Sequence, residues 1–243
     1  MLYAKESNMK LSEVVPWGRS LYEYRKMFSL SDRDIKKTIL GCGDGPASFN
    51  AELSKMGGKV VSVDPVYQCN VEQIRLKIYE VYPKIMEQMS KIKNKYVWTT
   101  IENLEDLGKI RMEAMEIFLS DFEVGKDLGR YITASLPSLP FENNAFELAL
   151  CSHYLFLYGE HVNQEQHISS IKELCRVADE IRIYPLLSLD GKKSKYLNPV
   201  MSKLTDSGVK VSLKPVGYEF QKGATEMMVV ETAQKQAIRN MLK

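Results

Sequence analysis

Three stretches of the 243-residue chain carry groups able to do chemistry. The first is LGCGDGPASFNAEL, residues 40 to 53, where Gly41, Gly43 and Gly45 alternate before a helical pattern begins. A glycine turn leading into a helix lets backbone N–H groups approach a polar ligand with no Cβ in the way. The second is Asp64, which with Pro65 closes the run KVVSVDP, 19 residues beyond Gly45. The third is Cys151-Ser-His-Tyr154, directly after the apolar run FELALC. An imidazole titrates close enough to neutrality to act as a base, so His153 is a candidate general base. Tyr154, Tyr158 and Tyr184 could wall an aromatic pocket around it. The alternative for all four is structural: a hydrogen-bonding histidine and tyrosines that pack at strand ends.

The elements that must position these groups read as α/β. Phe49, Leu53 and Met56 recur at helical spacing, Gly57-Gly58 supplies a left-handed stop, and Pro46 suits a first helical turn. With TIL before the glycines and KVVSV after the helix, this is a βαβ unit with parallel strands. More than 60 residues then separate Asp64 from RYITASL, so a helical insertion is predicted over 66–129. Ile74, Ile78, Val81, Ile85, Met89 and Ile92 mark one helical stripe, with Pro83 expected to bend or break it. Leu107, Ile110, Met115, Phe118 and Phe122 mark another, opened by a capping box at Thr99–Glu102. Two readings stay open for these helices, permanent core and lid over a site. Further on, FELALC and EIRIYPLL read as strands and Asn163 as the start of a helix between them. A short helix ending near Gly208 follows, and VKVSLKPVGYEF and TEMMVVE form a terminal hairpin. Ligands of such sheets bind outside the carboxyl ends of the strands, and the fourth strand is expected beside the first, which puts His153 next to the glycine turn.

Composition limits the remaining possibilities. A hydrophobic content of 44% over this length suits one domain, 1–243, with a helical cap over residues 1–36. A net charge of +2 recruits neither nucleic acid nor an anionic membrane. No segment reaches the roughly 20 apolar residues of a membrane span, and MLYAKESNMKLSE lacks a signal-peptide core, so a cytoplasmic location is expected. Cys42, Cys69, Cys151 and Cys175 form no C-x-x-C pair, and His153, His161 and His167 share no helix face with a carboxylate, so no metal is expected.

The G-x-G-x-G spacing, with an acidic residue closing the next strand, resembles the class I S-adenosylmethionine-dependent methyltransferases. ASLPSLPFENNAFELALCSH is similar to the adenine-binding loop and fourth strand of the same family, through Leu139-Pro-Phe141, Asn143-Asn144 and Phe146-Glu-Leu148. The resemblance implies a doubly wound, mostly parallel seven-stranded sheet with a C-terminal antiparallel hairpin, and S-adenosylmethionine as cofactor with S-adenosylhomocysteine as product. It assigns cofactor contacts to Gly41, Cys42, Gly43, Gly45, Asp64, Pro65, Ser135, Leu136 and Cys151, with the Asp64 carboxylate on the ribose hydroxyls. In WGRSLYEYRKMF, Arg19 with Tyr22 and Tyr24 could cap the cofactor's carboxylate through a planar fork. The dull alternative there is an amphipathic helix with exposed arginines. Two departures stand out: Ile39 where many members carry an acidic residue, and Ser135 where an aspartate commonly meets the adenine amino group. Methyl transfer is an in-line displacement that needs alignment and a dry pocket, with His153 and Tyr154 as candidate catalytic residues. The [DNS]-P-P-[YFW] arrangement of DNA methyltransferases is absent, which favours a small-molecule acceptor over nucleobases. A protein or RNA acceptor is the runner-up, followed by a nicotinamide-binding or non-catalytic protein of the same fold. As a whole the chain looks similar to a little-characterised bacterial methyltransferase group.

Overall fold

The structure is a computed structural model and describes residues 16–232. The start of the predicted 1–36 cap, with the segment MLYAKESNMKLSE, lies outside the described residues.

One seven-stranded sheet organises the chain. Its order is β3-β2-β1-β4-β5-β7-β6, with β1 at Thr38–Cys42, β2 at Lys59–Val63, β3 at Tyr131–Ile132 and β4 at Leu148–Ser152. β5 spans Glu180–Tyr184, β6 Lys210–Pro215 and β7 Glu226–Glu231. β1 to β5 pair in parallel, and β7 runs antiparallel to both β5 and β6, which gives the expected terminal hairpin. β4 lies beside β1 with Cys42 opposite Cys151, so the glycine turn and the residues after β4 leave the sheet side by side. β4 and β5 are buried along their whole length, as expected of strands covered on both faces.

Helices cover the two faces. α1 (Leu21–Met27) and α2 (Phe49–Lys55) pack with Ile39, Val60, Leu148 and Leu150, while α5 (Gln164–Val177) and α6 (Leu197–Asp206) close the other side over Leu40, Ala149 and Ile181. α5 starts after Asn163, as expected, and a capping box between Asn163 and Gln166 closes that end.

Two long helices, α3 (Val71–Lys91) and α4 (Leu104–Asp127), occupy the connection between β2 and β3. The stripe Ile74, Ile78, Val81, Ile85 and Met89 is buried, as are Leu107, Met115, Phe118 and Phe122. A bidentate pair clamps α4 to α1: Arg111 donates to both oxygens of Glu23 at 2.6 and 2.7 Å, and Tyr218 adds a third bond at 2.6 Å. Arg111 is fully buried, so removing either partner would strand a charge. The helices therefore pack as core, and Ile85 and Met89 also wall a cavity described below.

Four local expectations require correction. Pro83 does not break α3, which runs on to Lys91; it sits on the exposed face, where water can serve the unpaired carbonyl while the buried stripe holds the helix together. The capping box at Thr99–Glu102 does not form, because Asn103 caps α4 instead through the Asp106 amide. α2 starts three residues after Pro46, at Phe49, and Met56 is 63% exposed because the helix ends at Lys55. RYITASL pairs over only Tyr131 and Ile132.

Candidate active site

Two adjoining cavities open at the carboxyl ends of β1, β2 and β4 and share Gly43, Asp64, Val66 and His153. The first holds about 220 Å³ and is lined by Cys42, Gly43, Asp64, Pro65, Ser135, Leu136, His153 and Tyr154 among others. The second holds about 170 Å³ and brings Arg19, Tyr24, Asp44 and Gly45 together with Tyr96, Tyr158, Tyr184 and Phe220. Gly41 and Cys151 line neither. The Cys151 thiol is fully buried and burial pushes it up to about 12. A Cβ on Gly41 would overlap the Asp44 carboxylate, so that glycine makes room for a side chain.

The turn after β1 is fixed by several bonds. Gly43 and Gly45 adopt φ of +70° and +52°, conformations that cost glycine little. Gly43 N–H donates to Val63 O at 3.0 Å, and Tyr67 donates to Gly45 O at 2.8 Å. Asp64 accepts from Gly45 N–H through one oxygen and from Val66 N–H through the other, both at 2.9 Å. Burial raises its proton affinity, and these two backbone bonds oppose that shift. Each oxygen keeps a further lone pair for a hydroxyl donor.

Arg19 lines the second cavity with one bond, from Nη1 to Trp17 O at 3.1 Å, and no ion pair among the described residues. Its Nε is buried without a partner. Burial, then the nearby Arg111, depresses its pKa, with Glu23 acting in opposition. A guanidinium in this state is complementary to an anion entering the cavity.

His153 sits just past β4 at φ +50°, a left-handed conformation uncommon outside glycine and costing on the order of 1–3 kcal/mol. Its backbone N–H donates to Tyr184 O at 2.8 Å, and its ring meets the Tyr184 ring edge-on at 5.7 Å. Burial, with Arg19 and Arg111 adding repulsion, holds the imidazole well below its usual range, so it is neutral at pH 7. Tyr184 donates its hydroxyl to Ala224 O at 2.9 Å, which ties this wall to the loop between β6 and β7. Tyr154 packs against Gly43, where a Cβ would come within 2.9 Å of the Tyr154 Cβ.

The loop carrying Ser135 and Leu136 is held from α5. Glu173 accepts from Leu139 N–H at 2.7 Å, and Arg176 donates to the carbonyls of Leu139 and Phe141 at 3.1 and 2.7 Å. Neither residue was singled out by sequence, since an i,i+3 Glu–Arg pair on a helix reads as solvated surface. Tyr96 and Phe220, stacked at 4.8 Å on the cavity wall, come from segments with no common sequence signal.

No protein-family profile matches the chain. The uncharacterized protein MJ0045 of Methanocaldococcus jannaschii is 30% identical over 227 residues, covering 91% of this chain and 98% of that one. The match lends no support to a specifically bacterial grouping. Solved structures with similar folds include a SAM-dependent methyltransferase from Aquifex aeolicus, at 16% identity and a TM-score of 0.43, covering 87% of this chain and 89% of the other. They also include magnesium protoporphyrin IX methyltransferase from Synechocystis PCC 6803 with bound SAM, at 12% identity and 0.41, covering 88% and 74%. No helix among the described residues is long and apolar enough to cross a membrane.

Proposed function

We propose that this chain, which belongs to the family of the uncharacterized protein MJ0045 of Methanocaldococcus jannaschii, is an S-adenosylmethionine-dependent methyltransferase with a small-molecule acceptor. The observation that carries the reading is the convergence of three separate segments on adjoining cavities. They are the Gly43–Gly45 turn, the carboxylate after β2 and the Ser135-Leu136 loop, all of which line these cavities and to which the sequence resemblance assigns cofactor contacts.

The residues present fit such a cofactor. Asp64 has lone pairs free for two ribose hydroxyls, Ser135 and Leu136 line the cavity where an adenine would lie, and the Arg19 guanidinium, which has no ion pair among the described residues, lines the adjoining cavity where a carboxylate would lie. When bound, the cofactor supplies a methyl group on a positively charged sulfur. The chain's own contribution is to align the acceptor, exclude water and take up a proton. Tyr96, Tyr158, Tyr184 and Phe220 make a largely apolar wall for the acceptor, and neutral His153 stands between the two cavities with a nitrogen able to accept its proton. A wall of this kind suits a small planar molecule better than an RNA backbone, which asks for exposed cations.

Thermal shifts measured in parallel with S-adenosylmethionine, S-adenosylhomocysteine and nicotinamide dinucleotides test this. Stabilisation by the first two is expected. Stabilisation by the dinucleotides alone would overturn the reading.

A further inference from the structure

The aromatic side of the second cavity is made by two segments that lie far apart in the chain. Residues 95–97, in the connection between α3 and α4, run antiparallel to residues 220–222 of the β6–β7 loop, with Tyr96 opposite Gln221. Val97 N–H donates to Phe220 O at 2.8 Å, and Lys222 N–H donates to Lys95 O at 3.0 Å. The rings follow the backbone: Phe220 stacks on Tyr96 at 4.8 Å and meets Trp98 edge-on at 5.5 Å. The loop is tied down elsewhere as well, since Gln221 Nε2 donates to Ser188 O at 3.0 Å and Tyr184 donates its hydroxyl to Ala224 O at 2.9 Å. A wall pinned in this way is set before any ligand arrives.

Size and charge then limit what the wall can hold. The cavity holds about 170 Å³. An apolar cavity of about 150 Å³ takes up one benzene. Because part of the space goes to the cofactor's carboxylate at Arg19, two fused rings do not fit. Arg19 is the one lysine or arginine lining the cavity among the described residues. The two carboxylates on the same cavity are held by neutral donors. Asp44 accepts from the Tyr24 and Ser62 hydroxyls at 2.7 and 2.6 Å, and Asp64 accepts from the Gly45 and Val66 amides. An anionic acceptor would meet those two charges with Arg19 already engaged, and a cationic one would meet the sulfonium.

We propose that the acceptor is an uncharged compound with a single aromatic ring bearing a hydroxyl group, seated on Tyr96 and Phe220 with that hydroxyl at His153. This rests on the methyl-transfer reading of the cavities. Such a ring offers a flat apolar face to the aromatic pair, and its O–H offers a proton to the neutral imidazole. The hydroxyl oxygen forms the new bond to the methyl carbon while the carbon–sulfur bond breaks and leaves its electron pair on sulfur, which becomes neutral. The hydroxyl proton passes to a His153 ring nitrogen, and the imidazolium, repelled by Arg19 and Arg111 in a buried site, releases it to solvent. Phe220 sets the limit on ring number, because it walls the cavity from a loop whose backbone is held in place.

The test is a ligand-observed NMR titration of the full chain saturated with S-adenosylhomocysteine, using phenol, benzoate, cyclohexanol and 2-naphthol as probes. Phenol is expected to bind about tenfold more tightly than benzoate, which carries a charge, and than cyclohexanol, which lacks the flat face. 2-Naphthol is expected to leave phenol in place on the wild type and to displace it from Phe220→Ala. Benzoate or cyclohexanol binding as tightly as phenol, or 2-naphthol displacing phenol from the wild type, would overturn the assignment whether or not the variant folds. A folded Phe220→Ala that still excludes 2-naphthol would overturn it too. If S-adenosylhomocysteine binds and none of the four probes does, this assignment alone is lost. If S-adenosylhomocysteine itself does not bind, the methyl-transfer reading is lost and the assignment goes with it.

Discussion

Asp64→Asn probes the cofactor assignment at the residue where loop geometry and ligand contact meet. The carboxylate gives one oxygen to Gly45 N–H and one to Val66 N–H. Asparagine has a single oxygen, so its amide must face one of the two donors, leaving that N–H unpaired at a cost of about 1–3 kcal/mol. The same change removes one of the two positions open to ribose hydroxyls, together with the charge. A hydrogen bond to a charged group contributes about 1.5–3 kcal/mol, which is roughly a tenfold to hundredfold loss in affinity. Urea denaturation would establish that the variant is folded at the working temperature, and calorimetry would then measure S-adenosylhomocysteine binding. A folded variant with wild-type affinity would refute the ribose contact and the reasoning from lone pairs behind it.

Asp44 should make the protein less stable as pH rises. Its folded pKa of about 7 lies above the ordinary carboxylate value of 3.8, so its contribution is fully present below about pH 4 and lost as pH passes through 7. The loss is on the order of 4 kcal/mol, seen as a difference between wild-type and Asp44→Asn stability curves; parallel curves would contradict it. Glu23→Gln leaves the Arg111 guanidinium buried without its carboxylate and should cost about 3–5 kcal/mol by denaturant titration, with the double variant Glu23→Gln/Arg111→Met recovering part of that. Amides on the buried sides of α3 and α4 should resist hydrogen exchange in the free protein, because both helices sit in core clusters; rapid exchange that slows only with ligand would restore the lid reading.

Much of the sheet was legible because its signals are local. β-branched runs, a glycine turn and a Pro65 stop lie within a few residues of each other, and the apolar stripes of α3 and α4 needed only helical periodicity. The errors fell at boundaries, where tertiary context decides. Pro83 is tolerated because it faces solvent, and Asn103 outcompetes Thr99 as a cap because the chain enters α4 there. The site was half legible for the same reason. Gly43, Gly45, Asp64 and Ser135 follow from motif order, but Asp44 gains its meaning only from Tyr24 and Ser62, which are 20 and 18 residues away on other elements. The Arg111–Glu23 pair bridges 88 residues, and charges on amphipathic helices give no sequence sign of being buried.

A crystal structure of the protein grown with S-adenosylhomocysteine tests the central claim most directly. The account predicts ribose hydroxyls on Asp64, the adenine beside Ser135 and Leu136, the carboxylate at the Arg19 guanidinium, and the sulfur facing His153 across the boundary of the two cavities. Clear cavities at saturating ligand, or a ligand bound with no contact to Asp64, would contradict it.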